Sequence, residues 1–217
     1  MKLIQRNALA SAILAVLVGI TTPVQAQHAE HETAAPNSPK IAQTGAALRD
    51  LWVGHVFWVR NVAVNTLGGN TAAATAAENE VVANARLIAA AIDPYYGKAA
   101  SEKLFGLLAG HYGAVKQYIV ATAAGSRTKQ DAAATALTAN AKEIATFLSG
   151  ANPNLPFAAL NGLLLAHGGH HIQEIQQLQG GQYAQEAQTW EAMKTHMYVI
   201  ADALAGAIAK QFPEKFN

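Results

Sequence analysis

The sequence predicts an all-α protein made of three αα-hairpins, packed either as a six-helix bundle or as an open array of hairpins. Two observations lead to this fold class. The chain contains a threefold internal repeat with a period of 56 residues, and apolar residues recur at helical spacing on both sides of a repeated glycine. The repeat needs no gaps, and its columns include Leu48, Leu104 and Leu160; Gly69, Gly125 and Gly181; and Ile88, Ile144 and Ile200.

The chain begins with a segment that resembles an export signal. Lys2 and Arg6 precede an apolar stretch from residue 9 to 20, and a ValGlnAla cleavage pattern ends at Ala26. The stretch is too short to span a bilayer. We therefore expect residues 1–26 to be a signal peptide that is cleaved after Ala26, leaving a periplasmic or secreted protein.

Residues 27–40 have almost no large apolar side chains, so we expect a disordered leader there. It contains His28 and His31, which we do not expect to hold a metal selectively. The helical domain is predicted over residues 41–217. Its three repeats cover residues 41–96, 97–152 and 153–208.

Each repeat is predicted to form one helical hairpin. In the first, Leu48, Trp52 and Val59 belong to one apolar stripe, while Val81 and Ile88 belong to another. Glycine lies between the two stripes of every repeat, where its freedom to adopt positive φ favours the end of a helix. Proline-containing segments at residues 93–97 and 150–156 separate the repeats. Six helices are expected.

Composition excludes several classes of function. The predicted signal holds two of the 15 basic residues and none of the 14 acidic ones, so the remaining chain has one acidic residue in excess. This balance does not favour binding to nucleic acid or to an anionic membrane. The chain has no cysteine, which excludes disulfides, covalent haem attachment and iron–sulfur clusters. No nucleophile motif is present, so we expect a binding protein rather than an enzyme, and not an integral membrane protein.

Polar residues interrupt the apolar stripes at repeat-equivalent positions. The first helix of each repeat carries a histidine 14 residues before its turn glycine, and the second carries a polar residue 15 after it. With a rise of ~1.5 Å per residue, both positions lie about 21 Å from the turn. These positions are His55, His111 and His167 on the first helices and Asn84, Asn140 and His196 on the second. If the hairpins pack in register, these residues form one layer.

Imidazoles in such a layer are suited to bind a transition-metal ion, with zinc, copper and nickel as candidates. His171 joins them because the third repeat reads HGGHH and position 171 shares a column with Val59 and Val115, whereas His170 is expected at the edge. The predicted ligands are His55, His111, His167, His196 and His171. Asn84, Asn140 and Glu80 are the predicted hydrogen-bond partners of the ligands, although a solvated helix face is the commoner environment for Glu80 and for Glu174.

Two other functions remain open on the sequence. Two of the histidines would serve as axial ligands in a protein that binds haem non-covalently. Alternatively, the layer is a buried His/Asn network that only sets the register of a structural or partner-binding bundle. No feature of the sequence identifies a protein partner.

Several segments resemble those of uncharacterised exported helical proteins of bacteria. They are IDPYYG, FLSGANPN and KQFPEKF, together with the Leu51, Trp52, His55 and Arg60 pattern at the start of the first repeat. This resemblance covers most of the chain after the predicted signal. It implies an all-helical secreted fold and carries no established activity.

Overall fold

The structure is a computed structural model, and it describes residues 39–217. The predicted signal at residues 1–26 and the predicted leader with His28 and His31 lie outside the described residues, apart from the last two leader positions. The first helix begins at Pro39, so Pro39 and Lys40 are helical.

The predicted all-α class is confirmed, and the described part of the chain contains no strand. Six long helices carry almost all of it. They are α1 (Pro39–Leu67), α2 (Thr71–Ala90), α4 (Lys98–Ala123), α5 (Arg127–Ala151), α6 (Phe157–Gln179) and α7 (Tyr183–Gln211). A four-residue helix, α3 (Asp93–Tyr96), lies in the first link, and a 3-10 turn (Pro213–Lys215) follows α7.

The long helices pair as three hairpins, α1 with α2, α4 with α5 and α6 with α7. Each hairpin turn contains a glycine in the left-handed region, with φ of 75° at Gly69, 63° at Gly125 and 67° at Gly181. A side chain at such a φ is sterically strained, so glycine ends the first helix of each hairpin at this point. Asn70 then caps α2 by accepting a hydrogen bond from the Ala73 amide.

The hairpins close into a ring. Helix α2 packs against α4, α5 against α6, and α7 against α1. The first helices of the hairpins, α1, α4 and α6, also contact one another, so they line the centre while α2, α5 and α7 lie outside. The closed ring is the six-helix bundle, and it excludes the open array of hairpins.

A polar network and an aromatic cluster join the links to the end of α7. The Asn152 amide donates to the Tyr96 hydroxyl (2.8 Å), which donates to the Gln211 Oε1 (2.8 Å). The Gln211 amide in turn donates to the Ala151 carbonyl. Phe216 stacks on Tyr95 close by, with ring centroids 5.8 Å apart. The chain end thus ties together the links between hairpins, at the end of the bundle opposite the turns.

Two apolar cores fill the interior. The core on the side of the links includes Trp52, Leu104 and Met197, whereas the core on the side of the turns includes Val59 and Ile119. A polar layer lies between them. None of the described helices is both long and apolar enough to cross a membrane.

Candidate metal centre

Four buried histidines meet at the centre of the bundle, at the level where the two apolar cores adjoin. Each of the three central helices contributes to the group, and α6 contributes twice. The group consists of His55 on α1, His111 on α4, and His167 and His171 on α6, and one ring nitrogen from each lies within 4.8 Å of the others. The four residues are called the histidine cluster below.

The cluster is closed to solvent. The exposed fractions are 4% for His55, 3% for His111 and 1% for both His167 and His171. The rings also touch one another, since the centroid separations lie between 4.5 Å and 6.0 Å. A ligand of the cluster must therefore be about the size of a single ion.

All four imidazoles are neutral at physiological pH. Burial lowers the pKa of His55 to about 3 and that of His111 to about 4. Burial also lowers the pKa of His167 and His171 well below the usual range, and the charges of neighbouring histidines lower both further. A neutral imidazole has a free lone pair on one ring nitrogen, which is the form that binds metal ions.

The cluster nitrogens are poorly satisfied by the protein. The unpartnered buried atoms are Nε2 of His55, both ring nitrogens of His111 and His167, and Nε2 of His171. A buried polar atom without a partner costs on the order of 1 to 3 kcal/mol. Because several such atoms converge on one point, the cluster could hold a metal ion.

The polar residues of the outer helices behave differently, because each donates to a carbonyl of its own hairpin. The Asn84 amide lies 3.0 Å from the Leu51 carbonyl oxygen, and the Asn140 amide lies 3.0 Å from that of Leu107. His196 Nε2 lies 2.8 Å from the Leu163 carbonyl oxygen. Donor and acceptor are 33 residues apart in every case. These three residues are called the hairpin clamps.

His196 therefore lies outside the cluster, contrary to the prediction that it is a metal ligand. Its ring contacts the half-buried ring of His170 instead, with centroids 5.5 Å apart. The fourth member of the cluster is His171. Position 171 falls one helical turn after position 167 on the central helix α6, so His171 reaches the centre of the bundle. His196 does not, because it lies on the outer helix α7.

Close helix packing accompanies the two asparagine clamps. A Cβ added at Gly54 would lie 2.9 Å from the Asn84 Nδ2, and one at Gly110 would lie 3.1 Å from the Asn140 Nδ2. The third hairpin has Ala166 at the equivalent position. Its clamp is the imidazole of His196, which is longer than an asparagine side chain.

The asparagines also have a free oxygen near the cluster level. The Oδ1 atoms of Asn84 and Asn140 are buried and have no partner. Asn140 interacts with His111 and partly offsets the effect of burial by raising the pKa of His111. The Asn140 amide, however, donates to Leu107, and its role as a hydrogen-bond partner of a ligand stays a prediction. The third predicted partner, Glu80, is exposed on α2 and faces solvent.

Glu174 belongs to the site, although a solvated helix face was the expectation for this residue. It is 2% exposed, and its Oε2 lies 4.0 Å from the His171 Nδ1. Burial and the charge of Glu186 raise the pKa of Glu174 to about 8, while Arg60 opposes them. The spacing along α6 did indicate that Glu174 faces the site, since residue 174 is two turns after His167 and lies on the same helix face.

An ion pair between α1 and α7 borders Glu174. Arg60 donates two hydrogen bonds to the Glu186 carboxylate, with its Nε 2.5 Å and its terminal nitrogen 2.8 Å from the two oxygens. Glu186 is buried, and the two hydrogen bonds from Arg60 satisfy its charged carboxylate beside the site. The Glu174 carboxyl group next to His171 is thus influenced by the charges of this ion pair, while its own Oε1 has no hydrogen-bond partner.

The cluster suits a single ion and does not suit haem. Four nitrogens at ~2.0 to 2.1 Å from a tetrahedral ion would lie roughly 3.4 Å apart, so modest side-chain rotation from the present spacing brings them to bonding distance. A porphyrin is wider than any separation between the four rings. Haem binding would require two of the histidines to leave the centre of the bundle.

Comparison with known proteins identifies no relative. The chain matches no protein family, no curated protein and no solved structure.

Proposed function

We propose that this protein is an exported binding protein that holds one transition-metal ion in the histidine cluster. The observation that supports this proposal most strongly is the convergence of four buried, neutral imidazoles whose ligating nitrogens lie within 4.8 Å of one another. An ion bonded to the four lone pairs would give one ring nitrogen of each histidine a partner and reduce the cost of burying these rings.

The ligand set favours zinc, copper or nickel. All four donors are imidazole nitrogens, which these ions prefer, whereas magnesium and calcium prefer oxygen. Catalytic zinc sites usually keep one position open for water or substrate, but a site with four protein ligands is closed. Burial of the whole cluster therefore supports storage, transport or structural binding of the ion rather than catalysis.

Export is the second part of the proposal, and residues 1–26 support it. The charged start, the short apolar stretch and the ValGlnAla pattern predict a mature chain that begins at Gln27. Mass spectrometry of the protein recovered from the producing cells would test this point. A chain that keeps Met1 and stays in the cytoplasm would contradict it.

The metal proposal is tested on the purified mature protein after treatment with a chelator. Zn²⁺, Cu²⁺ and Ni²⁺ are added separately, and bound metal and melting temperature are measured. We expect one tightly bound ion for at least one of these metals. We also expect a higher melting temperature, because binding to the folded state alone stabilises it by about 4 kcal/mol at a thousandfold excess over Kd.

Two variants separate the cluster from the clamps. His111→Leu should lose the tight ion and the metal-dependent rise in melting temperature while remaining folded, since leucine fills a similar volume. His196→Gln should keep both, because glutamine can still donate to the Leu163 carbonyl. If His111→Leu bound every metal as the parent does, the cluster would not be the site.

A structural polar layer is the competing explanation, and the hairpin clamps give it some support. It predicts that His111→Leu lowers the melting temperature by the same amount with and without metal. It also predicts no tight ion in the parent.

A further inference from the structure

A second pair of histidines lies at the solvent edge of the third hairpin. His170 on α6 and His196 on α7 have ring centroids 5.5 Å apart, which falls within the range of separations inside the histidine cluster. Both residues are only partly buried. An ion can reach this pair without opening the bundle.

Each ring of the pair has a nitrogen available for a metal. His196 Nε2 contacts the Leu163 carbonyl oxygen, which can only accept a hydrogen bond, so Nε2 carries the proton. The Nδ1 of His196 then has the lone pair. The His170 ring makes no hydrogen bond to any residue within 39–217.

The other two hairpins show that the clamp does not need an imidazole. Asn84 and Asn140 supply the same hydrogen bond with an amide. At the position of His170, these hairpins carry Trp58 and Ala114. Among the three hairpins, therefore, only the third has histidine at both positions, and it is the hairpin that supplies two of the four cluster ligands.

The pair also adjoins the cluster along the chain. His170 directly precedes His171, and the carbonyl that holds His196 belongs to Leu163, one helical turn before His167. Helix α6 thus carries one histidine of the outer pair and two histidines of the cluster within a little more than one turn. The outer pair and the cluster are therefore neighbours along α6.

We propose that His170 and His196 form a second, solvent-accessible site for a late first-row transition ion, and that ions pass through it to the histidine cluster. Two imidazoles, with water completing the coordination, bind such an ion more weakly than four imidazoles do. The second site is inferred from the separation of the His170 and His196 rings and does not depend on metal binding by the cluster. The transfer of ions rests on the proposed function of the cluster.

The test uses Cu²⁺ as the probe and the mature parent protein with three variants. We expect the parent to bind two ions, one tightly and one weakly. His111→Leu, which alters the cluster on a helix that carries neither residue of the outer pair, should keep only the weak ion. His170→Ala should keep only the tight ion and take it up more slowly in a stopped-flow experiment. His196→Gln should behave like His170→Ala, because it keeps the clamp and lacks the second nitrogen.

The outcomes distinguish the two proposals. The second site would be overturned if His111→Leu bound no Cu²⁺, and the transfer step if His170→Ala took up the tight ion as fast as the parent. If the parent bound one ion that His170→Ala lost and His111→Leu kept, the outer pair would stand and the metal function of the cluster would fail.

Discussion

The histidine cluster and the hairpin clamps occupy the same level of one bundle, yet their hydrogen bonding differs. Asn84, Asn140 and His196 on the outer helices each donate to a carbonyl of the neighbouring central helix. The cluster histidines face one another at the centre and leave most of their ring nitrogens without a partner. Both sets interrupt an apolar stripe, so polarity within a stripe does not by itself identify a site. The two sets differ in their donors: every clamp uses its donor within its hairpin, although two leave an Oδ1 unpartnered, whereas His111 and His167 use neither ring nitrogen.

The largest expected effect of this difference is on stability in acid. Folding lowers the pKa of all four cluster histidines, to about 3 for His55 and about 4 for His111. Well above pH 6.5, neither the folded nor the unfolded chain binds protons at these histidines, so their contribution to stability is complete there. As the pH falls from 6.5 towards 4, only the unfolded chain binds protons, and stability is lost at up to ~1.4 kcal/mol per pH unit for each histidine.

Glu174 acts in the opposite direction. Its pKa is raised from 4.5 to about 8, so between these values the folded state holds a proton that the unfolded state lacks, which offsets one histidine. The net loss is then about 4 kcal/mol per pH unit. Urea unfolding of the metal-free protein from pH 7 to pH 4.5 measures this loss. His55→Leu should reduce the slope by ~1.4 kcal/mol per pH unit, which is the contribution of one proton. A free energy of unfolding that stays level over this range would show that the cluster is not buried and neutral.

A smaller effect is expected when the two regions are compared within the first hairpin. Asn84→Ala removes the hydrogen bond to Leu51 and should lower the free energy of unfolding by about 1 to 2 kcal/mol, with metal binding kept. His55→Leu replaces a poorly satisfied polar group by an apolar one and should leave that free energy unchanged or higher in the presence of a chelator. Urea titrations of both variants measure these values. Equal losses would mean that the cluster is as structural as the clamps.

The smallest effect concerns the helix contact beside a clamp. Alanine in place of a helical glycine normally stabilises by ~0.5 to 1 kcal/mol, and Gly106→Ala should show this gain because its added Cβ meets no atom within 4 Å. Gly54→Ala should show no gain, since its Cβ would displace the Asn84 amide from Leu51. Thermal unfolding of the two variants is the measurement. A similar gain in both would mean that the close approach is not required.

Much of the candidate site could be predicted from residue positions along single helices. His55, His111 and His167 share a distance from their turn glycines, and His171 shares a column with the buried residues Val59 and Val115. Helix geometry converts such spacing into height and face. Glu174 shared the face of His167 as well, but a carboxylate is usually solvated, and that general preference was the wrong guide here.

The sequence by itself determined the helices, their glycine turns and the pairing within each hairpin, because these depend on interactions between residues close in the chain. It did not determine whether the three hairpins close into a ring, since closure depends on contacts of α7 with α1 across nearly the whole described chain. Closure places α1, α4 and α6 at the centre and the remaining long helices outside. For that reason only the tertiary structure decided that His196 serves as a clamp outside the cluster: His167 and His196 lie at similar height but differ in their distance from the bundle axis.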